Sequence, residues 1–323
     1  MSLATGLREY HRARRSGWRV LDAAWRARRT WPYTPADVRH AHNEISRVLA
    51  LAKAADVGFP AVTTPVVSIV IPAFNNWSLT RRCLASIVVT SPLELLEVIV
   101  VDDASSDTTP REAESIAGLR MARNDVNLGF TESANRGART ARGALTLFLN
   151  NDTVVLPGCI AALVAAMSDP TVGAAGARLL YPSGRVQEAG VRLFSDATGN
   201  RRGDGRTPSD PALTDRCDVD YCSAAALMAR STLLQALGFF DETFAPAYYE
   251  DTDLCFRLRA HGLRVVVEPA ASVVHWGGMS YGTERRRAMA GAHRRADQEL
   301  NREKFVAKWS RELRARPDRR DAD

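Results

Sequence analysis

A chain of 323 residues, 46% of them apolar and 25% charged, is long enough for one large α/β domain with appendages or for two medium domains, and it has the composition of an ordinary globular protein. No stretch approaches the roughly 20 uncharged apolar residues that cross a bilayer, and Arg8, Arg12, Arg14 and Arg15 interrupt any secretion signal at the N-terminus, so a cytoplasmic chain is expected. The net charge of +6 belongs to the ends, with +6 over residues 1–64, +5 over residues 284–323 and −5 between them, which disfavours a basic nucleic-acid surface on the middle of the chain.

Residues 1–64 read as a basic helical extension. At helical spacing Leu3, Leu7, Tyr10, Trp18, Leu21 and Trp25 share one face, and Arg8, Arg12, Arg15, Arg19 and Arg26 lie opposite. Such a helix, over residues 1–31, is fit either to lie on an anionic membrane surface or to pack on protein. Pro32 and Pro35 end it, and a second helix from about 35 to 55 leads through Gly58 and Pro60 into the core.

From residue 66 the pattern becomes strand, helix, strand. Residues 66–72 are a β-branched run closed by proline; Ser78 or Asn76 can cap a helix with Leu79, Cys83, Leu84 and Ile87 on one face. Residues 97–103 form a second, continuously apolar strand, as a parallel strand covered on both faces should be. A helix over 108–118 precedes a short strand near Leu119, and a helix over 131–142 precedes a strand over 145–149. Repeated βα units predict a doubly wound parallel sheet, whose ligands sit beyond the carboxyl ends of the strands. Those ends are polar here: Phe74-Asn75-Asn76, Asp102-Asp103-Ala104-Ser105 and Asn150-Asn151-Asp152. Neither a glycine- and lysine-rich phosphate loop nor Gly-x-Gly-x-x-Gly follows the first strand, which argues against a nucleotidyltransferase and a dinucleotide-dependent oxidoreductase.

Two acidic clusters carry the chemistry. Asn150-Asn151-Asp152-Thr153 ends an apolar strand in the amide and carboxylate oxygens that a hard divalent cation requires. Glu250-Asp251-Thr252-Asp253 opens a helix whose buried side is Leu254 and Leu258, and it holds the best-placed candidate for a general base. Another strand-like run, residues 271–274, leads to His275, Trp276 and Gly277. Cys83, Cys159, Cys217, Cys222 and Cys255 are odd in number and contain no Cys-x-x-Cys pair, so they are expected to be reduced packing residues. Residues 285–313 predict a charged helix anchored by Phe305 and Trp309, and residues 314–323 a disordered tail.

The segments at 67–75, 98–105, 127–130, 135–137 and 148–153 resemble, in order and spacing, the nucleotide-sugar half of family 2 glycosyltransferases, and those at 238–242, 249–257 and 275–278 resemble its acceptor half. The likeness extends to bacterial rhamnosyl- and galactosyl-type transferases of cell-envelope polysaccharide synthesis. It implies a GT-A fold over residues 65–283, a doubly wound, mostly parallel sheet flanked by helices, with a nucleotide-sugar half at 65–155, an acceptor half at 156–283 and a charged helix and tail at 284–323. It further implies inversion at the anomeric carbon by single displacement. By the same resemblance Asp103 meets the nucleobase, and Asp152 and His275 hold Mn²⁺ or Mg²⁺ on the diphosphate of a UDP- or dTDP-linked sugar. Asn150 stands where relatives often carry the first carboxylate of an Asp-x-Asp motif, so metal binding falls chiefly to Asp152. Pro72, Phe74, Asn75, Asn127, Gly129, Asn135 and Asn151 complete the donor side. Asp251 is the general base, and Glu250, Asp253 and Trp276 face a saccharide or lipid-linked saccharide acceptor. Phe239, in place of a second glycine, and Ser223-Ala224-Ala225-Ala226 depart from the pattern and reshape the acceptor cleft. The alternative is a catalytically silent sugar- or partner-binding module on the same fold.

Overall fold

The computed structural model describes residues 37–277 and 284–319. The expected amphipathic helix of residues 1–31 lies outside them. The second helix is present as α1 (Val38–Ala54), capped by Asp37 through His40 N–H at 2.7 Å and burying Ala41, Ile45, Val48 and Ala52.

Strand β1 (Val67–Ala73) is followed by α2 (Trp77–Thr90), β2 (Leu96–Asp102), α3 (Thr109–Glu114), β3 (Arg120–Arg123), α4 (Phe130–Arg139) and β4 (Leu145–Leu149). β1 pairs parallel with β2 and with β4, and β2 pairs parallel with β3, so the four form the expected doubly wound half in the spatial order β3-β2-β1-β4. The helices differ from expectation at their ends. Asn76 enters α2 in the left-handed region, and Asp107 accepts from Trp77 N–H at 3.3 Å in place of a cap from Ser78 or Asn76. Helix α4 starts at Phe130 because Gly129 turns with φ +84°, and a Cβ there would stand 2.4 Å from Cβ of Pro246.

The second half adds β5 (Thr153–Val155), α5 (Cys159–Ala166), β6 (Val172–Leu180), β7 (Val186–Glu188), β8 (Val191–Leu193), β9 (Gly199–Arg201), β10 (Cys217–Asp218), β11 (Ala226–Arg230), α6 (Ser231–Leu237), α7 (Glu250–Ala260) and β12 (Arg264–His275). The sheet continues β4-β11-β6-β12-β10. β11 runs antiparallel to both neighbours, with Met228 opposite Leu147 and Ala175, so the sheet is mixed. β5 folds back antiparallel on the end of β12 and sets Thr153 opposite His275. Ile69, Ile71 and Leu147 pack with α2 and α5 on one face, while Val70 and Phe148 pack with α4, α6 and α7 on the other. The cysteines are all unpaired thiols, four of them buried. Among the described residues no helix is long and apolar enough to cross a membrane.

The C-terminal part is a long α8 (Glu284–Lys308) and a short α9 (Ser310–Leu313). Phe305, Trp309 and Leu313 are buried against Leu193, Phe244 and Phe256, and Phe305 meets Phe256 edge-on at 5.0 Å. Residues 314–319, expected to belong to a disordered tail, are packed: Arg316 pairs with buried Asp220, and the carbonyl of Pro317 accepts from Ser195 N–H at 3.0 Å; residues 320–323 of that tail lie outside the described residues. Because Phe305 has no exposed surface and fills the centre of this cluster, Phe305→Ala is expected to lower stability by about 3–5 kcal/mol, seen as a lower urea midpoint at unchanged slope.

Candidate active site

The carboxyl ends of β1, β2 and β4 converge, and their loops are stitched by side chains. Asn75, at φ +53°, accepts from Ser106 N–H at 2.9 Å and from Asp107 N–H at 3.3 Å, tying the loop after β1 to the loop after β2. Asp102 turns inward and accepts from Ser105 N–H at 3.2 Å. Asp103 faces the neighbouring loop: one carboxylate oxygen accepts from Asn124 Nδ2 at 2.7 Å and Leu128 N–H at 2.8 Å, the other from Gly129 N–H at 2.9 Å. Asn127 reaches the Asp103 carbonyl at 3.4 Å. The residue expected to meet the base thus also fixes the loop that walls this end of the sheet, from which Val126 projects 62% exposed. Phe74 is 37% exposed after β1, whereas Pro72 lies within the strand, half-buried beside Val101.

Beyond β4 the chain turns so that Asp152 and His275 meet. Asp152 Oδ1 is 3.4 Å from His275 Nε2, and Asn150 Nδ2 lies 3.4 Å from the same nitrogen. The Asp152 carbonyl accepts from Trp276 N–H at 3.1 Å, so the backbone locks the end of β12 beside the carboxylate. Asn151 points away and donates to Thr80 on α2 at 3.0 Å. The guanidinium of Arg82 lies 3.8 Å above the Trp276 ring; burial lowers its pKa while the charge of nearby Asp152 opposes that shift. Gln187, from β7, contacts His275 twice, with Oε1 2.7 Å from Nδ1 and Nε2 3.4 Å from the backbone carbonyl. Among the described residues no group of three or more His, Cys, Asp and Glu is placed to hold a metal. The pair Asp152 and His275 offers one hard and one borderline donor on one side only, a fit for a cation whose other positions are filled by ligand oxygens and water.

Asp251 sits in the first turn of α7. One carboxylate oxygen accepts from Thr252 N–H at 2.7 Å and Thr252 Oγ1 at 3.2 Å, the other from Ala224 N–H at 3.0 Å. Burial pushes its pKa up against those hydrogen bonds. Glu250 is pushed well above the usual carboxylate range by burial and then by the charge of Asp251, and its Oε2 is buried with no hydrogen-bond partner among the described residues. Next to these stands Glu188, which accepts from Ser223 N–H at 3.1 Å and which burial, followed by the Asp251 charge, raises to about 7. The turn at Ser223-Ala224-Ala225 therefore fastens Glu188 and Asp251 by consecutive N–H groups, and its next carbonyl, on Ala225, accepts from Asn150 N–H at 3.1 Å. That single turn brings the base candidate to the strand end that carries Asp152.

Like Asn151, which is turned to Thr80, two further expected ligand contacts face inward. Asn135 has no exposed surface; its amide clamps Phe240 by both carbonyl and N–H at 2.9 Å and reaches Glu242 at 3.1 Å. Asp253 is equally buried and holds Arg257 Nε, Lys308 Nζ and Trp309 Nε1 at 2.7–2.8 Å, so it fastens the C-terminal helix and presents nothing to an acceptor. Gln187, Glu188 and Arg82 escape sequence reasoning. The first two lie on a three-residue strand with no periodic signal, and Arg82 looks like any exposed helix charge.

Residues 68–233, just over half of the chain, match the family model Glycosyl transferase family 2. The O-antigen biosynthesis protein RfbC of Myxococcus xanthus is 32% identical over 229 residues, which cover 68% of this chain and 18% of that protein. The pre-mycofactocin glycosyltransferase of Mycobacterium tuberculosis is 31% identical over 214 residues, covering 65% of this chain and 42% of that protein. The chain thus spans less than half the length of either relative. In three dimensions it resembles GalNAc-T7, solved with UDP, GalNAc and Mn²⁺, at a TM-score of 0.55 and 17% identity over 67% of this chain and 46% of that one, a likeness of fold and of the GT-A class. With its family match over residues 68–233, which takes in the parallel strands β1 to β4, the chain belongs to glycosyl transferase family 2.

Proposed function

We propose that this chain transfers a sugar from a nucleoside-diphosphate donor, UDP- or dTDP-linked, to a hydroxyl of a saccharide or lipid-linked saccharide, with inversion at the anomeric carbon. The observation that carries this reading is the Ser223-Ala224-Ala225 turn, which holds Asp251 and the Asn150 strand end within consecutive backbone contacts. Donor and acceptor chemistry are thereby adjacent. The relative named for O-antigen biosynthesis favours a cell-envelope saccharide as the acceptor.

On the donor side Asp103, with Phe74, Asn75 and the loop of Asn127 and Gly129, receives the nucleoside. Asp152 and His275 are the residues that would hold Mn²⁺ or Mg²⁺, and such a cation supplies neutralisation of charge on the leaving diphosphate. Asp251 takes the proton from the acceptor hydroxyl as its oxygen bonds to the anomeric carbon, and the bond from that carbon to the diphosphate oxygen breaks with the electron pair leaving on the nucleoside diphosphate. Glu250 and Trp276 flank the acceptor. A base must be ionised to act, yet a desolvated carboxylate is a stronger base, so the raised pKa of Asp251 serves the step.

Asp251→Asn is expected to reduce transfer by at least about 100-fold, measured as nucleoside diphosphate released with acceptor present, while calorimetric donor affinity stays within a few-fold. Turnover near that of the unaltered protein removes Asp251 from the mechanism. The pH profile gives a second check. Because the ionised form is active and burial raises the folded pKa, kcat/KM should fall with falling pH along a one-proton limb whose midpoint lies above the ordinary aspartate value of about 3.9. A flat profile down to that value contradicts the assignment.

A further inference from the structure

We propose that Gln187 is a positioning residue of the cation site, fixing the tautomer and ring angle of His275 so that the lone pair of Nε2 faces Asp152. The inference rests on the reading of Asp152 and His275 as cation ligands. Gln187 is 8% exposed and lies in β7 at a register shift, between Val186 and Glu188, which pair with Leu180 and Leu179 of β6. Its two amide ends make two different contacts with one residue. Nε2 faces the backbone carbonyl of His275 at 3.4 Å, and since a carbonyl only accepts, this contact orients the amide. Oε1 then stands 2.7 Å from Nδ1, a distance that requires a proton on Nδ1. In a neutral imidazole the second nitrogen is then bare, and that nitrogen is the one 3.4 Å from the Asp152 carboxylate and 3.4 Å from the amide nitrogen of Asn150.

The alternative tautomer would turn the Nδ1 lone pair on the Gln187 oxygen at 2.7 Å, two acceptors in contact. It would also put an N–H where a cation has to approach. A glutamine does what neither of its neighbours in size can do. Leucine offers Nδ1 no acceptor, and glutamate keeps that acceptor but offers the His275 carbonyl no donor. Gly277, at φ +57°, leaves the space above this pair open, since a Cβ there would lie 3.7 Å from Gln187 Nε2 and 3.9 Å from His275 Cε1. An outer partner that sets ligand orientation typically changes metal affinity by about 10–100-fold.

The test uses the full chain, labelled with ¹⁵N, and needs no activity. Long-range ¹H–¹⁵N spectra of the metal-free protein, with the His275 signals assigned by their loss in His275→Asn, should show a protonated Nδ1 and a bare Nε2; Gln187→Leu should turn this into a mixture of tautomers. Binding of Mn²⁺ in the presence of UDP, followed by electron paramagnetic resonance, should weaken at least about 10-fold in Gln187→Leu and stay within a few-fold of the unaltered protein in Gln187→Glu, which keeps the acceptor for Nδ1. A bare Nδ1 in the unaltered protein, an unchanged tautomer in Gln187→Leu, or equal Mn²⁺ affinity in a folded Gln187→Leu overturns the inference. If the unaltered protein binds no Mn²⁺ with UDP, the cation reading itself fails, and the metal-free spectra still decide what Gln187 does.

Discussion

At one end of the sheet Glu188 and Glu250 are buried and Asp251 is half-buried, none of them in a salt bridge among the described residues, and the rest of the site is arranged around that constraint. Several other buried acids do stand beside cations: Glu97 holds Arg120 and Arg142 at 2.7 Å, Asp220 holds Arg259 at 2.7 Å, and Asp253 holds Arg257 and Lys308 at 2.7 Å, while Asp103 is buried on the Asn124 amide and two backbone N–H groups. Those pairs are structural, and Glu97 is held below the usual carboxylate range despite its burial by hydrogen bonds from the Ser68 hydroxyl first and then from Arg142 and Arg120. Asp251, Glu250 and Glu188 have neutral donors or none, and all three are pushed up. Taking a charge out of water without a counter-ion costs several kcal/mol per group.

The same constraint explains why so many contacts converge on the loop before α7. Tyr248 and Tyr249 both have positive φ, a strained entry that aims Glu250 and Asp251. Asn301 of α8 donates to the carbonyls of Phe244, Ala247 and Tyr248 at 2.7, 2.8 and 3.2 Å, and the Pro246 carbonyl accepts from Thr131 N–H at 3.1 Å. Gly129, held by Asp103, lets Pro246 approach. The loop before α7 is therefore braced on one side by α8 and on the other by the loop that Asp103 holds. α8 and α9 pack as part of the same domain, although their sequence advertises only charge and two aromatic anchors.

What could be read from the residues alone follows from which signals are one-dimensional. The apolar runs of β1, β2 and β4 and the polar residues closing them are local, and they gave the donor half nearly as it stands. β11 was not legible as an antiparallel insertion, because strand direction depends on where a distant turn delivers the chain. Asn135 and Asp253 have the right residue type at the right spacing to face a ligand, yet each lies on the inner side of its helix, where a backbone clamp or a tryptophan N–H takes the polar atoms. Helical phase alone cannot separate an inward polar residue with partners from an outward one without them. The residues after α9 read as a tail because nothing local shows that Asp220, about a hundred positions earlier, lacks a further cation until Arg316 arrives.

The departure at Asn150 acquires a physical meaning in this setting. In the proposed reading the cation would meet one carboxylate, Asp152, and one neutral imidazole, with the guanidinium of Arg82 close enough to feel the Asp152 charge. The protein's own contribution is then near electrical balance before any ligand arrives, and it supplies too few donors for a shell of six. A diphosphate would add both the missing charge and the missing oxygens. Such a site favours cation and donor binding together over cation alone, and by reciprocity the donor's affinity rises when the cation is present. A second carboxylate at position 150 would relax that coupling by strengthening the cation's independent hold, so the neutral amide makes the donor's arrival the event that completes the site.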